Sequence, residues 1–291
     1  MTRIIFYLFI KPLSLLPFRI LYVLSDLVYL IMLIAPYRGA TVDSNLRNSF
    51  PQKSIKEIRI IKRKFYRHFC DLIVESLKLF SISKSDATKR FKVNNPEFFE
   101  QTVLSNRSLI LTGGHYQNWE YFAVATDPQI KHQLLGIYTP ITNSFMERVF
   151  AQSRSKFGLV LVPKKQTRAY FEKYVNEQTV TTFAIDQSPR KHQKVYWITF
   201  LGQTTAVHFG AEKYAKDYNY PVIYGSAVKV KRGFYELTFQ LLEENPMKSS
   251  EGKITEVVTK NLEQQILAAP EYWLWTHKRW KLKPPSIATS K

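Results

Sequence analysis

From residue 92 onward, short apolar runs alternate with stretches of helical periodicity, and this alternation is the strongest constraint on the fold. Turn residues bound each run, as expected for buried strands separated by helices around one central sheet. The pattern therefore predicts an α/β domain. Strands are predicted at residues 109–112, 133–138, 159–162, 179–185, 222–230 and 235–241, and helices at residues 118–125, 144–157, 169–176, 207–217 and 253–268.

Before this domain, residues 55–80 predict a long amphipathic helix. Apolar residues recur there every three to four positions, which is the spacing of one helix face. Either the opposite face is simply solvated, or it meets the headgroups of phospholipids. The basic residues of that face are Lys56, Arg59, Lys62, Arg63 and Arg67.

The first 38 residues are the most apolar part of the chain. Between Arg19 and Arg38 lie eighteen residues whose only charged side chain is Asp26, a length that approaches a bilayer core. Lys11 and Arg19 interrupt the apolar run and a small-residue cleavage site is missing, so a signal peptide fits poorly. We expect an uncleaved anchor at residues 1–38, either spanning once or lying in the interface, with a buried core helix as the alternative.

The composition indicates which kinds of partner the protein binds and whether its compartment is reducing. The 291 residues carry a formal net charge of +19, and residues 1–70 hold twelve basic side chains against three acidic ones, around the apolar segment. This arrangement favours an anionic membrane surface over nucleic acid. The single cysteine, Cys70, excludes an intrachain disulfide and favours a reducing compartment. We expect the α/β domain to cover residues 39–284 and a flexible tail to follow at 285–291.

The stretch GGHYQNWE, residues 113–120, directly follows the first predicted strand of the domain. Loops at the carboxyl ends of strands form the usual site in such sheets, and two glycines permit a sharp turn there. His115 then fits a general base whose tautomer a carboxylate, Glu120, fixes. Residues five apart on a regular helix are rotated by about 140°, so the two meet only if His115 lies in the turn before the helix. The alternative is a turn residue and a helix-cap residue without mutual contact.

Other chemistries have less support in the sequence. The spacing is not His-Glu-x-x-His, so we expect no metal site. No Gly-x-Ser-x-Gly motif supplies a serine nucleophile, and Cys70 lies far upstream in a helix. The remaining chemistry is base-assisted attack by a hydroxyl of the substrate itself, without a cofactor.

The His-x4-Glu arrangement resembles the signature of the lipid A biosynthesis acyltransferases, which are late lauroyl and myristoyl transferases. Further blocks occur in that family's order and at similar spacing, and together they span nearly the whole chain. These blocks are NLRNSFP (45–51), GIYTPITN (136–143), FAIDQSP (183–189), WITFLGQTTAVHFGAEKYAK (197–216) and PEYWLWTHKRWKLKP (270–284).

The resemblance implies a mixed central sheet flanked by helices, like that of glycerolipid acyltransferases, with an N-terminal membrane-associated helical segment. It implies transfer of an acyl chain from an acyl carrier protein thioester, or from coenzyme A, to a hydroxyl of a lipid A precursor. The enzyme would lie at the inner membrane with its catalytic domain on the cytoplasmic side. His115 would take the proton of the acceptor hydroxyl, and Glu120 would stabilise the imidazolium that forms.

The same blocks supply candidates for substrate binding and for stabilising the oxyanion. Tyr138 is one candidate. After it the family usually has an arginine, but this chain has Thr139, which can donate one neutral hydrogen bond. Arg154 or Arg148, from the following helix, is the candidate replacement for the arginine. Asn118 is expected either to cap the helix or to orient His115 and Glu120.

Four candidates lie further along the chain. Asp186 and Gln187 follow a predicted strand at the edge of the sheet where the site is expected, so they are candidate site residues. The alternative is that they only form the turn before Pro189. His277 and Arg279 match the last block, where contact with anionic headgroups or with the acidic carrier is weighed against a purely structural role.

Two other functions stay open at this point. The threonine at position 139 is compatible with a different acceptor: an aminolipid, a lysophospholipid or an aryl lipid. The charge is also compatible with a non-catalytic basic protein bound to membranes or nucleic acid, although that function leaves GGHYQNWE unexplained.

Overall fold

The computed structural model describes residues 1–101, 104, 106–190 and 195–284. Nine strands are found in these residues, and they form a large sheet and a separate hairpin. The strands are β1 (Phe91–Val93), β2 (Leu109–Gly113), β3 (Gln133–Tyr138), β4 (Val160–Pro163), β5 (Thr179–Ala184), β6 (Val195–Phe200), β7 (Gln203–His208), β8 (Val222–Lys231) and β9 (Phe234–Glu243).

The large sheet has seven described strands in the order β1-β9-β8-β2-β5-β3-β4. Neighbouring strands are parallel except β8 and β9, which form an antiparallel pair. Consequently β9 and β1 run opposite to the other five, which confirms the predicted mixed sheet. Strands β6 and β7 pair antiparallel outside this sheet.

Helices cover both faces of the sheet and bury one apolar cluster on each. One cluster joins Ile110 and Val222 to Leu262 on α11 (Lys253–Ala268), and the other joins Leu111 and Ile223 to α7 (Trp119–Ala125). Alternate residues of each strand therefore serve opposite faces, as the pleat requires. The helices after the amino-terminal region are α6 (Lys84–Arg90), α7 (Trp119–Ala125), α8 (Ser144–Ser155), α9 (Thr167–Lys173), α10 (Gly210–Tyr218) and α11 (Lys253–Ala268).

The amino-terminal region is helical. The Ser54 hydroxyl accepts from the Glu57 amide while the Glu57 carboxylate accepts from the Ser54 amide, a capping box that starts the long helix α5. The single cysteine, Cys70, is buried on α5. The helices of this region are α1 (Thr2–Ile5), a π-helical turn (Phe6–Ile10), α2 (Lys11–Leu15), α3 (Phe18–Ile34), α4 (Gly39–Ser49) and α5 (Ile55–Lys78).

Helix α3 packs against α5 through polar contacts. The Tyr22 hydroxyl donates to Glu75 at 2.8 Å, and the Ser25 hydroxyl donates to Asp71 at 2.8 Å. The other side of α3 is not a core surface, because its large apolar residues are exposed. Those residues are Ile20, Val23, Leu27, Leu30, Ile31, Leu33 and Ile34.

Among the described residues, no single helix is both long and apolar enough to cross a bilayer. The segments Thr2–Leu15 and Phe18–Ile34 meet that criterion only as a pair, and they are bent by 116° at the break between them. The expectation of a membrane anchor at residues 1–38 therefore stays a prediction.

The six predicted strands of the large sheet are confirmed, with ends that differ by at most two residues. The sequence patterns missed β1, α4, α6 and the hairpin β6–β7. The helix predicted at 207–217 was wrong at its start: Val207 pairs with Tyr196 in the hairpin, and the helix begins only at Gly210. The predicted tail at 285–291 lies outside the described residues.

Candidate active site

Gly114, the first residue after β2, has little room for a side chain. A Cβ atom on Gly114 would lie 2.8 Å from both Leu262 Cδ atoms and 3.2 Å from the Asp186 carboxylate. The turn ends at Asn118, whose side chain accepts from the Tyr121 amide at 2.8 Å and caps α7. His115 therefore lies in the turn before the helix that carries Glu120, as the spacing predicts.

The register of the sheet joins His115 to Asp186. Gly113 at the end of β2 lies beside Ala184 at the end of β5, so the residues two positions later emerge side by side. His115 Nδ1 donates to Asp186 Oδ1 at 2.7 Å, and the His115 amide donates to Oδ2 at 2.7 Å. The Trp273 indole also donates to Oδ2 at 2.9 Å. Three donors thus hold a buried carboxylate against the imidazole.

This contact changes the proton affinity of both groups. Burial opposes the charged imidazolium, but the charge of Asp186 and its hydrogen bond outweigh burial and raise the pKa of His115. Burial would raise the pKa of Asp186, yet His115 and the donated hydrogen bonds lower it to about 2. Asp186 is therefore ionised at neutral pH, and His115 presents Nε2 as a basic atom.

The expectation that Glu120 contacts His115 was wrong. The Glu120 carboxylate instead binds Arg154 through two parallel hydrogen bonds, Nε to Oε2 at 3.0 Å and Nη2 to Oε1 at 2.7 Å. The ring of Trp119 packs edge-on against the imidazole, with centroids 5.4 Å apart. The charge of Glu120 still helps to raise the pKa of His115, after the charge and the hydrogen bond of Asp186.

Gln187 and His277 adjoin this pair. The side-chain amide nitrogen of Gln187 lies 3.3 Å from His115 Nε2. The backbone amide of Ser188 donates to His277 Nε2 at 3.0 Å. Burial, then the charge of Lys281, lowers the pKa of His277 to about 4, so this ring is neutral at physiological pH. His277 thus supports the loop that carries Gln187 and supplies no positive charge for an anionic partner.

Arg279 is buried, which favours the structural role over contact with headgroups or a carrier protein. Only 1% of its surface is exposed, and Nη1 donates to the Ala206 carbonyl at 2.8 Å. Burial lowers its pKa to about 10, against the favourable charge of Asp186. Its role is to join the carboxyl-terminal segment to the hairpin β6–β7.

The remaining candidates differ in their position. The Tyr138 hydroxyl donates to Glu147 at 2.6 Å, and Thr139 is exposed at the cavity wall. Arg154 lines the same cavity, whereas Arg148 is exposed on α8 and is absent from the described lining. Arg154 is therefore the arginine that the fold brings to the site.

Glu75 was missed by the sequence patterns, although it belongs to the neighbourhood of the site. It is fully buried on α5 and accepts from the Asn118 side chain at 2.6 Å and from the Tyr235 hydroxyl at 2.8 Å. Burial raises its pKa. A carboxylate on the apolar face of a helix was the signal that could have revealed it.

His115 opens into a cavity of about 780 Å³ that extends to both sides of β2 along the sheet. Toward β8, β9 and β1 the lining is mostly apolar, and toward β4 and α10 it carries basic side chains. The apolar residues include Phe91, Leu111, Phe122, Ala227 and Leu237. The basic residues of the other side are Lys164 and Lys213, beside His208, whose pKa burial lowers to about 4. The cavity therefore joins a mostly apolar space to a space with two lysines, and its volume lies in the range of ligand-binding pockets.

The arrangement is that of a general base. A carboxylate holds one imidazole nitrogen and leaves the other facing a cavity, where it can take a proton from a hydroxyl.

The sequence matches the model of the bacterial lipid A biosynthesis acyltransferases over residues 2–282. The chain belongs to this family. It is accordingly an enzyme that transfers acyl groups. Two relatives are the lipid A biosynthesis palmitoleoyltransferase of Escherichia coli (strain K12) and the lipid A biosynthesis acyltransferase of Shigella flexneri. Each is 22% identical over 248 residues, which cover 85% of this chain and 80% of the relative.

Proposed function

We propose that this family member moves a fatty acyl chain from an acyl carrier protein thioester to a hydroxyl of a lipid A precursor. It does so at the inner membrane, with its catalytic domain on the cytoplasmic side. The observation that carries the proposal is the buried Asp186 bound to His115, with the other imidazole nitrogen facing a cavity that is apolar on one side.

The reaction begins when His115 Nε2 takes the proton of the acceptor hydroxyl. The oxygen attacks the thioester carbonyl, a C–O bond forms, and the carbonyl electrons move onto the oxygen. When this tetrahedral intermediate collapses, the C–S bond breaks and the imidazolium returns the proton to the leaving sulfur. Asp186 stays ionised throughout and stabilises the imidazolium.

The acyl chain lies in the apolar side of the cavity. Its wall there is built by Gly225, which has no side chain, and by the small side chain of Ala227, both on β8, with Leu237 on β9 and Phe122 on α7 around them. Burying a chain in this space removes it from water at about 0.8 kcal/mol per CH₂. Chain length is then set by how far this space extends, and Phe91 of β1 is the bulky residue at its far side.

Arg154 stabilises the negative charge of the intermediate. Its Nε and Nη2 are held by Glu120, which leaves Nη1 as the remaining nitrogen for a substrate oxygen. The bidentate pair restrains the guanidinium in one orientation, which is what transition-state stabilisation requires. Arg154 thereby takes the place of the arginine that this chain lacks at Thr139.

The experiment compares wild type with His115→Ala in purified form. Acyl carrier protein loaded with a labelled acyl chain is mixed with a lipid A precursor, and the acylated product is separated and counted. We expect His115→Ala to lose at least about 100-fold in rate while keeping its melting temperature, since base catalysis contributes 10² to 10⁴. Lys260→Gln, an exposed change on α11, is the matched control.

Two further measurements identify the acyl donor and the acceptor. Replacing the carrier thioester with acyl coenzyme A identifies the donor. Mass spectra of lipid extracts from a deletion strain identify the acceptor, because lipid A should lack one acyl chain. A purified His115→Ala protein with near-wild-type turnover would refute the mechanism.

A further inference from the structure

A second cavity of about 460 Å³ lies outside the candidate active site. Its walls come from α3, from α5, from the end of β8 and from the turn after α11. One face of α5 contributes most of the lining, because residues three, four and seven positions apart share a helix face. The lining residues are Tyr29, Ile60, Arg63, Lys64, Arg67, His68, Lys229, Glu271 and Tyr272.

The lining is cationic, with four basic side chains against one carboxylate. Two of the cations are held in place by acids outside the cavity: Arg67 pairs with Asp26 at 3.0 Å, and Lys229 pairs with Asp71 at 3.3 Å. Among the described residues, Arg63 makes no ion pair. Two lining cations are thus fixed in position and Arg63 keeps a charge that no described carboxylate compensates, so the cavity suits a ligand that brings its own negative charge.

Lys64 and His68 complete the polar lining. Lys64 pairs with Glu271, the one lining carboxylate, at 3.6 Å. His68 is buried, and its Nδ1 lies 3.4 Å from the Lys229 ammonium. The ring therefore receives a hydrogen bond from a cation that lines the same cavity.

The rim of the cavity is apolar and exposed. Ile60 lines the cavity and is 46% exposed. On α3, Leu33 lies one turn after the lining residue Tyr29 and so on the same face, and it is 45% exposed. A cationic cavity beside an exposed apolar helix matches an amphipathic ligand, with its charge inside and its chains along α3.

We propose that this cavity binds the phosphate of an anionic membrane lipid whose acyl chains lie along α3. Free phosphate could use the cations, but it would gain nothing from the apolar rim, and this difference favours a lipid. The site is separate from the cavity of His115, and its occupation is measured by binding, so the test does not depend on acyl transfer.

The test is sedimentation of the full-length protein with vesicles of phosphatidylcholine, with or without one quarter phosphatidylglycerol. The variant Arg63→Gln/Lys64→Gln removes two lining cations, and Lys253→Gln/Lys260→Gln removes two exposed cations from α11. We expect the first to lower binding to the anionic vesicles roughly 30-fold, and the second less than about threefold. Binding to neutral vesicles should change in neither.

Equal losses in the two double variants would overturn the proposal, because the overall charge would then explain the binding. A second result would also overturn the proposal: millimolar inorganic phosphate displaces the protein from vesicles, and calorimetry shows that phosphate alone binds the protein as tightly as the vesicles do. The cavity would then be a site for free phosphate. The charge-preserving variant Arg63→Lys/Lys64→Arg should bind as wild type does. Circular dichroism and melting temperature verify that each variant is folded.

Discussion

Replacing Asp186 with asparagine should nearly abolish acyl transfer without unfolding the protein. In wild type, Oδ2 accepts from the His115 amide and from the Trp273 indole, while Oδ1 accepts from His115 Nδ1. The asparagine carbonyl can keep both Oδ2 bonds, so its amide group must face Nδ1. An amide nitrogen donates, and His115 must then accept at Nδ1 and carry its proton on Nε2. The atom that faces the cavity can no longer act as a base.

The size of the effect follows from this change of tautomer. General base catalysis contributes 10² to 10⁴ in rate, which is about 3 to 5 kcal/mol of barrier. We therefore expect kcat to fall by that factor in Asp186→Asn. The stability loss should be about 1 to 3 kcal/mol, because one hydrogen bond weakens.

The pH profile tests the same reasoning independently. A protonated His115 cannot take a proton, so activity rises with pH through its pKa. Asp186 raises that pKa above the ordinary 6.5, so the rising limb of wild type should lie above this value. In Asp186→Asn burial is no longer outweighed, and the residual activity should rise at lower pH.

The assay is acyl transfer from labelled carrier thioester across a pH series. Asp127→Asn is the matched control, since Asp127 is a carboxylate that accepts from the Leu134 amide and from Gln133, outside the described cavity lining. We expect the control to stay within about threefold of wild type. An Asp186→Asn enzyme with wild-type rate and an unchanged rising limb would refute the role of Asp186.

Two more predictions concern the cavity walls. Glu120→Gln and Arg154→Gln should each lower kcat about 10- to 100-fold. The kcat of the double variant should be no lower than that of the more impaired single variant, because all three variants lose the same ion pair. Additive losses in this cycle would contradict a shared role. Ala227→Leu should lower kcat/KM roughly tenfold more for a 16-carbon donor than for a 12-carbon donor, because it fills the apolar space. Val228→Leu, an exposed change next to it, should lower both equally or not at all.

Local signals in the sequence predicted the elements of the site well. Two glycines after an apolar strand, a histidine, and a capping asparagine before an apolar helix predict the turn that the structure has. The predicted strands of the large sheet were also correct, since each is a short apolar run between turn residues. The hairpin β6–β7 was missed although β6 contains an apolar run, because β7 begins with three polar residues and its last two residues were assigned to the following helix.

The partner of His115 could not be read from local spacing. Glu120 is five residues away and was the obvious candidate, yet the acid that binds the imidazole is Asp186, which is 71 residues away. That pairing depends on the parallel register that sets Gly113 beside Ala184. Register is a property of two strands together, and neither strand records it alone.

The same division holds for the charges. The sequence by itself determined that the chain is basic, that an apolar segment precedes an α/β domain, and that a histidine follows a strand through two glycines. Only the tertiary structure decided which charges are buried and which meet: Arg279 lies in the interior, Arg154 binds Glu120, and Arg63 lines a separate cavity. The reason is physical, since the energy of a charge depends on its distance to other charges and to water, and folding sets both.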